Sequence, residues 1–400
     1  MKKILSYFAV IIATAIISIS ISSNATKPSK APKVSITEIE KKLNDSVHFI
    51  KALELTKQNY VKDIEKKELV EEAIDGMLSS LDPHSGYLNI DDFNEMNVQT
   101  SGQFGGVGIE ITKEKDIIKV ISPIDSTPAF KAGIKPKDYI IKINNESVRN
   151  MSINDAVKKI RGPNGTYVTL TIAREGEMKP LDFKLKRAVI KIAAVKSELK
   201  SEDIAYFKIR SFSSQTTLNL RKDFRNLKYK NKNIKGVILD LRNNPGGLLN
   251  ESISVSDLFL EKGVIVSTKG RTGNSKQIFE ATEGDMAKDL PMIVLINQGS
   301  ASASEIVAGA LQDHKRAIVI GNKSFGKGSV QTIIPLNETT AIRLTTALYY
   351  TPSGKSIQAE GIVPNIIIDQ NKLDKVKKTS QYSEANLPGH IENLTKSKKE

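Results

Sequence analysis

The sequence predicts an α/β domain whose core sheet has substantial parallel content, joined to a smaller β-rich module and preceded by a helical region. Three observations carry this. Between Ser201 and Asp369, apolar runs of buried-strand type (Val237 to Leu241, Ile293 to Ile296, Ala317 to Ile320) alternate with helical stretches over Gly247 to Leu260 and Ser302 to Gln312. Between about Ser101 and Arg187, Gly102, Gly105, Gly106 and Gly108 lead into Ile109-Glu110-Ile111 and the alternating run Ile117 to Ile121, a strand texture. From Thr37 to about Leu81, apolar residues recur at helical spacing: Ile39, Leu43, Val47, Ile50 and Leu53, then Leu69, Ile74, Met77, Leu78 and Leu81. That spacing predicts two or three amphipathic helices, packed either on the body or on another subunit.

The N-terminus reads as an export signal. Lys2 and Lys3 precede a mostly apolar run from Ile4 to Ile21, and Ser23-Asn24-Ala25 supplies small residues for cleavage after Ala25. An uncleaved anchor is the rival reading, since about 18 mostly apolar residues could just span a bilayer. Either way the rest of the chain is expected outside the cytoplasm, in the periplasm or on the outer face of the cytoplasmic membrane, with membrane contact only through this segment. Thr26 to Val34, rich in Pro, Lys and Ser, reads as a tether. The expected layout is a signal over 1–25, a linker over 26–36, a helical region over 37–100, the β-rich module over 101–187, the α/β core over 188–370 and a polar, basic, disordered tail over 371–400.

Composition narrows the chemistry. The 400 residues include no cysteine and four scattered histidines, His48, His84, His314 and His390. Thiol nucleophiles, disulfides and thiolate metal sites are excluded, and no HExxH-type pair exists, so neither a metal nor a cofactor is expected. The formal charge is +14, from 59 basic and 45 acidic residues. Lysines are spread along the whole chain without a nucleic-acid-binding signature, which reads as a diffusely basic surface with no nucleic-acid partner.

Within the β-rich module, a glycine-rich loop entering a strand lets backbone amides cradle an anion. The glycines lead into a strand rather than a helix, which excludes the dinucleotide fingerprint. Pro128 to Asn144 (PAFKAGIKPKDYIIKIN) resembles the short helix and following strand of PDZ domains, with Ser152 to Arg161 as a second helix and Val168 to Ile172 as the last strand. Lys137 stands where that family usually has glycine. The resemblance implies that a peptide C-terminus adds as a strand beside Gly106-Val107-Gly108-Ile109, whose amides capture the terminal carboxylate. A glycine-rich turn with no ligand is the plain alternative.

Two stretches of the core carry chemistry. Gly299 to Ala310 (GSASASEIVAGA) is a run of small residues after a buried strand and opening a helix, which places a serine where unpaired amides favour negative charge. Serines there are more often N-caps than nucleophiles. Gly321 to Gln331 (GNKSFGKGSVQ) nearly reads as a phosphate-binding loop, but Gly328 stands where Ser or Thr must hold magnesium, and strand composition follows. His314 lies 12 residues after Ser302 on one predicted helix, roughly 18 Å away, so it cannot be the base for that serine. A lysine remains, and it works only when neutral. Lowering its pKa to ~7–8 by burial corresponds to about 4 kcal/mol. Lys327 sits in an apolar, glycine-lined setting, and Gln331, four residues on, could hold its amine without adding charge.

Ser302, with Lys327 25 residues later and Gln331 four beyond, together with Leu81 to Ser85 (LDPHS) and Asp240 to Leu249 (DLRNNPGGLL), resembles the carboxyl-terminal processing (tail-specific) proteases of serine peptidase family S41. The order of segments agrees over nearly the whole chain. The resemblance implies a crotonase/ClpP-like core, Ser302 as nucleophile, Lys327 as general base, Gln331 as its orienting partner and the amides of Gly247 and Ala303 as an oxyanion hole. It implies protein substrates with apolar C-termini, and the N-terminal helices are a candidate homo-oligomer contact. His84 is read as structural, because the dyad needs no imidazole. The alternative is a PDZ-type adaptor with an inactive hydrolase-like core.

Overall fold

Continuous apolar runs form the central sheet of the core, because a strand covered on both faces has no polar side to show. Strands Val195–Lys200, Ile204–Ile209, Gly236–Asp240, Met292–Ile296, Ile318–Gly321 and Ile366–Ile367 lie side by side in that order, antiparallel at the first pair and parallel at the other four. Helices Thr216–Lys230, Leu249–Asp257 and Ala303–Asp313 share one apolar core with it. Phe207, Leu220, Leu239, Val255, Val307 and Leu311 are fully buried there, each contributing roughly 1.5–3 kcal/mol.

A second sheet completes the core and corrects the expectation of a mostly parallel one. Gly86–Leu88, Ala341–Tyr350, Gly263–Gly270 and Gln277–Ala281 are ordered in that sequence, Ser329–Pro335 pairs with Ala341–Tyr350, and every ladder is antiparallel. The core is therefore mixed. These strands escaped the search for apolar runs because they are half-covered and mix polar with apolar residues, as in AIRLTTALYY.

The β-rich module is built on strands Ile109–Glu114, Ile117–Pro123, Tyr139–Ile143, Tyr167–Ala173 and Leu181–Lys186, in that order, with Glu146–Ser147 beside Tyr139–Ile143. Its helices are Pro128–Lys131 and Ile153–Ile160, the latter capped by the Ser152 hydroxyl, which accepts from the Asp155 amide at 3.1 Å. Lys137 adopts φ +71°, the left-handed region that explains the usual glycine. Gln103–Gly106 pairs with Ala188–Lys191, so the strands that enter and leave the module close on each other.

The computed structural model describes residues 36–114, 116–272, 275–368 and 383–391. The expected signal and the tether to Val34 lie outside them. The chain divides between Val70 and Glu71 into two units. Helix Ile36–Asn59 belongs to the first, and helix Lys66–Ser79 begins in it. Among the described residues, no helix is long and apolar enough to cross a membrane. The reading of 371–400 as disordered fails over Ser383–Ile391, where a short 3-10 turn, Glu384–Asn386, carries a fully buried Glu384.

Candidate active site

Three loops converge where the two core sheets meet. The first, after strand Gly236–Asp240, is held by Asp240, whose carboxylate is fully buried and accepts from the Arg242 backbone (3.0 Å), from the Arg242 guanidinium (2.9 and 2.7 Å) and from the Tyr206 hydroxyl (2.6 Å). Burial works against that anion, but the bonds from Arg242 and Tyr206 outweigh it and hold the carboxyl below its ordinary range. The loop then turns through Asn243 at φ +59° to Gly246 and Gly247, at φ +105° and +141°. The Phe212 amide donates to the Gly246 carbonyl (2.9 Å) and the Leu248 amide to the Phe212 carbonyl (2.8 Å), a pattern that skips Gly247.

The second loop carries Ser302, buried at the mouth of helix Ala303–Asp313 in a conformation unusual for a side-chain residue, φ +54° and ψ −114°. Such a geometry costs on the order of 1–3 kcal/mol and persists only where neighbours impose it. Here they do. The Ala301 amide donates to the Asn244 carbonyl (3.0 Å), and the Ser304 hydroxyl donates to the same oxygen (2.9 Å). The Ser300 hydroxyl donates to the Leu241 carbonyl (2.8 Å), and the Ser302 amide donates to Glu305 Oε2 (2.8 Å). A Cβ added to Gly246 would lie 2.9 Å from Ser302 Cβ and 3.0 Å from the Ala303 nitrogen, so the glycine turn packs on the serine turn. Among the described residues, neither the Gly247 nor the Ala303 amide has a protein acceptor.

The third loop, Asn322 to Gly328, carries Lys327. Glu305 joins it to the serine: Oε1 accepts from the Ser324 hydroxyl (2.5 Å) and the Gly326 amide (2.7 Å), and Oε2 accepts from the Lys327 amide (2.9 Å) as well as from Ser302. One carboxylate thus holds both turns. Burial pushes Glu305 up to about 7, against the pull of its donors. Burial also lowers the Lys327 amine, reinforced by the positive charge of Arg343, while Glu384, Asp82 and Glu305 act in the opposite direction.

Gln331 lies beside this loop, though not for the reason the four-residue spacing suggested. The strand starts only at Ser329, and its pairing shifts register between Val330 and Gln331, so simple alternation does not carry Lys327 and Gln331 to one face. The Gln331 amide nitrogen donates to the Ser329 hydroxyl (2.9 Å) and the Thr345 hydroxyl (3.3 Å), which leaves its oxygen as the acceptor for a nearby amine. Tyr349, which sequence reasoning passed over, is buried beside the Ser302 turn, and burial pushes its hydroxyl up to about 12, with the Ser302 side chain acting in the opposite direction. His314 is remote from this chemistry, with its Nε2 2.7 Å from the Val264 carbonyl oxygen.

In the β-rich module, Gly106 ends a strand, Val107 is fully buried and Ile109 opens strand Ile109–Glu114, which lies at the edge of its sheet. Gly108 has φ +77°, and an added Cβ would meet Thr127 Cβ at 2.4 Å. The four residues therefore form a turn leading into a strand that, among the described residues, lies at the edge of its sheet.

Residues 203–368 match peptidase family S41, residues 95–173 the PDZ domain and residues 10–92 the N-terminal domain of the activating protease CtpB. A carboxy-terminal-processing protease of Bartonella bacilliformis is 51% identical over 349 residues, which cover 86% of this chain and 80% of that one. The chain belongs to peptidase family S41. The carboxy-terminal processing protease CtpA of Bacillus subtilis is 37% identical over 371 residues, 92% of this chain and 78% of its own. Among solved structures, a photosystem II D1 C-terminal processing protease aligns at 27% identity and a TM-score of 0.47, covering 81% of this chain and 93% of that one.

As an S41 peptidase of the carboxy-terminal processing type, the chain is a serine-type protease with a PDZ domain. Glu305 is the residue of this site that sequence reasoning left without a role, although Ser302-Ala303-Ser304-Glu305 spells the S-x-x-E signature of a helix start. Replacing it with alanine would strand buried donors on both turns. Glu305→Ala is expected to cost about 3 kcal/mol or more, read as a lower urea midpoint, and to lose activity even where the protein still folds. A midpoint equal to wild type would show that the carboxylate holds neither turn.

Proposed function

We propose that this S41 protease is exported, recognises the apolar C-terminal tail of protein substrates through its PDZ domain, and cleaves them with a Ser302–Lys327 dyad. The observation that carries the reading is the shared Glu305 carboxylate, which sets the Ser302 and Lys327 turns side by side while burial depresses the lysine. Neutral Lys327 takes the hydroxyl proton as Ser302 Oγ attacks the peptide carbonyl, with Gln331 orienting the amine. The amides of Gly247 and Ala303 receive the oxyanion. Lys327 returns the proton to the leaving amine, giving an acyl-enzyme and a shortened product. Water, deprotonated by the same amine, then attacks the ester and frees the serine.

Edge strand Ile109–Glu114 supports tail capture by strand addition, with the terminal carboxylate on the turn Gly106 to Ile109. The run of four parallel ladders supports a crotonase/ClpP-like reading of the core. Export rests on the N-terminal segment, and the apolar spacing of the helices over 37–81 suggests pairing with a second copy. An adaptor with an inactive core is disfavoured, because a buried, depressed lysine beside a strained serine has no use in peptide capture.

The test compares one apolar-tailed substrate with its C-terminally amidated form, beside Ser302→Ala as a blank. Amidation removes the negative charge that the turn amides would bind, so kcat/KM is expected to fall about tenfold or more, mostly through KM. Equal cleavage of both forms would refute tail recognition while leaving the dyad standing.

A further inference from the structure

The described part of the C-terminal tail sits at the catalytic loop. Its Glu384 amide donates to the Phe325 carbonyl at 3.1 Å, two residues before Lys327. Its carboxylate accepts from Gln358 Nε2 at 2.9 Å, and Gln358 Oε1 in turn accepts from the Gly328 amide at 2.9 Å, one residue after Lys327. Both flanks of the lysine are thereby tied to one residue, the Phe325 flank by its backbone amide and the Gly328 flank through its carboxylate. From the opposite side His84 Nε2 meets both carboxylate oxygens, at 2.9 and 2.8 Å. His84 is itself fixed, its amide donating to Asp82 Oδ1 (2.8 Å) and its carbonyl accepting from Arg343 Nε (2.8 Å). Glu384 is fully buried, and its three contacts bridge parts of the chain 26 to 300 residues away in sequence.

We propose that Glu384, braced by His84, is a positioning residue of the active site that fixes the Lys327 loop and supplies the negative charge that stabilises the lysine ammonium formed during attack. This rests on the reading of Lys327 as general base. The chemistry asks two things of that amine: to be neutral at rest and to hold a proton once Ser302 has given one up. Burial and Arg343 secure the first and oppose the second. Gln331 is uncharged and can orient the ammonium without offsetting that opposition. The charged groups acting on Lys327 are Arg343 on strand Ala341–Tyr350, Asp82 on the segment before Gly86–Leu88, Glu305 on the serine helix and Glu384 on the tail, with titratable His84 set against Glu384. Asp82 is engaged by the Ser85 and Thr345 hydroxyls, and Glu305 by the two turns. Glu384 is the acid whose residue is tied to both flanks of the lysine, by its amide to Phe325 and by its carboxylate through Gln358 to Gly328. Burial disfavours its charge, but the bonds from His84 and Gln358 prevail and hold its carboxyl below the ordinary range.

The sign of the effect separates this role from simple bracing. An anion near the amine raises the lysine pKa, so its removal must lower it. Glu384→Gln in the full-length protein is expected to reduce plateau kcat about tenfold and to move the acidic limb of kcat/KM to lower pH by about half a unit to one. Glu384→Asp keeps the charge on a shorter arm: its limb should stay at the wild-type position while kcat falls. A purely structural glutamate would lower activity or stability in Glu384→Gln without moving the limb, and that result overturns the proposal. Should Glu384→Gln fail to fold, Glu384→Asp decides, because wild-type kcat there would show that the position of the carboxylate does not matter. Lys327→Met distinguishes the two levels of the argument. If it still cleaves, the dyad itself fails; if it is inactive, the wild type shows the acidic limb and Glu384→Gln leaves that limb in place, only the role of Glu384 fails.

Discussion

Ser302→Ala and Lys327→Ala are each expected to abolish cleavage of an apolar-tailed substrate, with losses of roughly 10⁴–10⁶ in kcat, while the protein stays folded. The two losses should not add, since a nucleophile without its base and a base without its nucleophile lose the same step. Lys327→Arg should be as inactive as alanine, because a guanidinium remains protonated at any working pH. Lys327→Met is the sharpest variant. In the folded protein the amine sits below its ordinary range, so between that value and ~10.4 the unfolded chain binds more protons than the native one, and stability rises with pH across that window. At neutral pH the lysine therefore costs stability, and Lys327→Met should melt at or above the wild-type temperature despite being inactive. Thermal melts at pH 7 and pH 10 check this. A methionine variant less stable than wild type at pH 7 would mean that the amine is a structural ion-pair partner. The same sign governs activity, which should rise with pH through an acidic limb set by Lys327 and lying below the ordinary lysine range.

What the sequence makes legible follows from how local each signal is. Ser302 and Lys327 each follow a buried parallel strand, and a continuous apolar run ending in small residues can be read from a ten-residue window. Glu305 is equally local but escapes a reading that takes its stretch only as small residues opening a helix, because nothing local shows that its carboxylate is shared with a second loop. The antiparallel sheet was harder. Its strands are half-covered, and Ser329–Pro335 and Ala341–Tyr350 mix polar with apolar residues in a way that a search for buried runs passes over. Gln331 shows the opposite failure, a spacing rule applied across a position where the strand has not begun and then shifts register. His84 and Glu384 could not be joined from the sequence at all: 300 residues separate them, and the acid lies in a segment whose composition reads as solvated tail. Mean composition describes a segment, whereas one buried side chain decides where that segment goes.

Gly247→Ala is expected to remove the larger part of the oxyanion stabilisation, costing ~2.7–4 kcal/mol of transition-state binding, or about 10²–10³ in kcat, with a smaller change in KM. Two geometric facts set this. Gly247 has φ +141°, a conformation that side-chain residues rarely adopt, and a Cβ built there would lie 2.2 Å from the Phe212 carbonyl oxygen. Backbone rather than a flexible side chain stands in the way, so the turn itself must move, and the amide proposed to receive the oxyanion moves with it. Relief in one direction would break the Leu248 amide's bond to Phe212, and relief in the other would press Gly246 on the Ser302 turn. Gly165→Ala is the control, because Gly165 also has a positive φ (+89°) but nothing lies within 4 Å of its added Cβ, and it belongs to the PDZ domain. Both variants carry backbone strain, so a stability loss shared by the two measures strain alone. A kcat loss confined to Gly247→Ala on a short, untailed peptide measures the oxyanion contribution. Equal kcat in the two variants would remove the Gly247 amide from the mechanism and leave Ala303 as the donor to be tested.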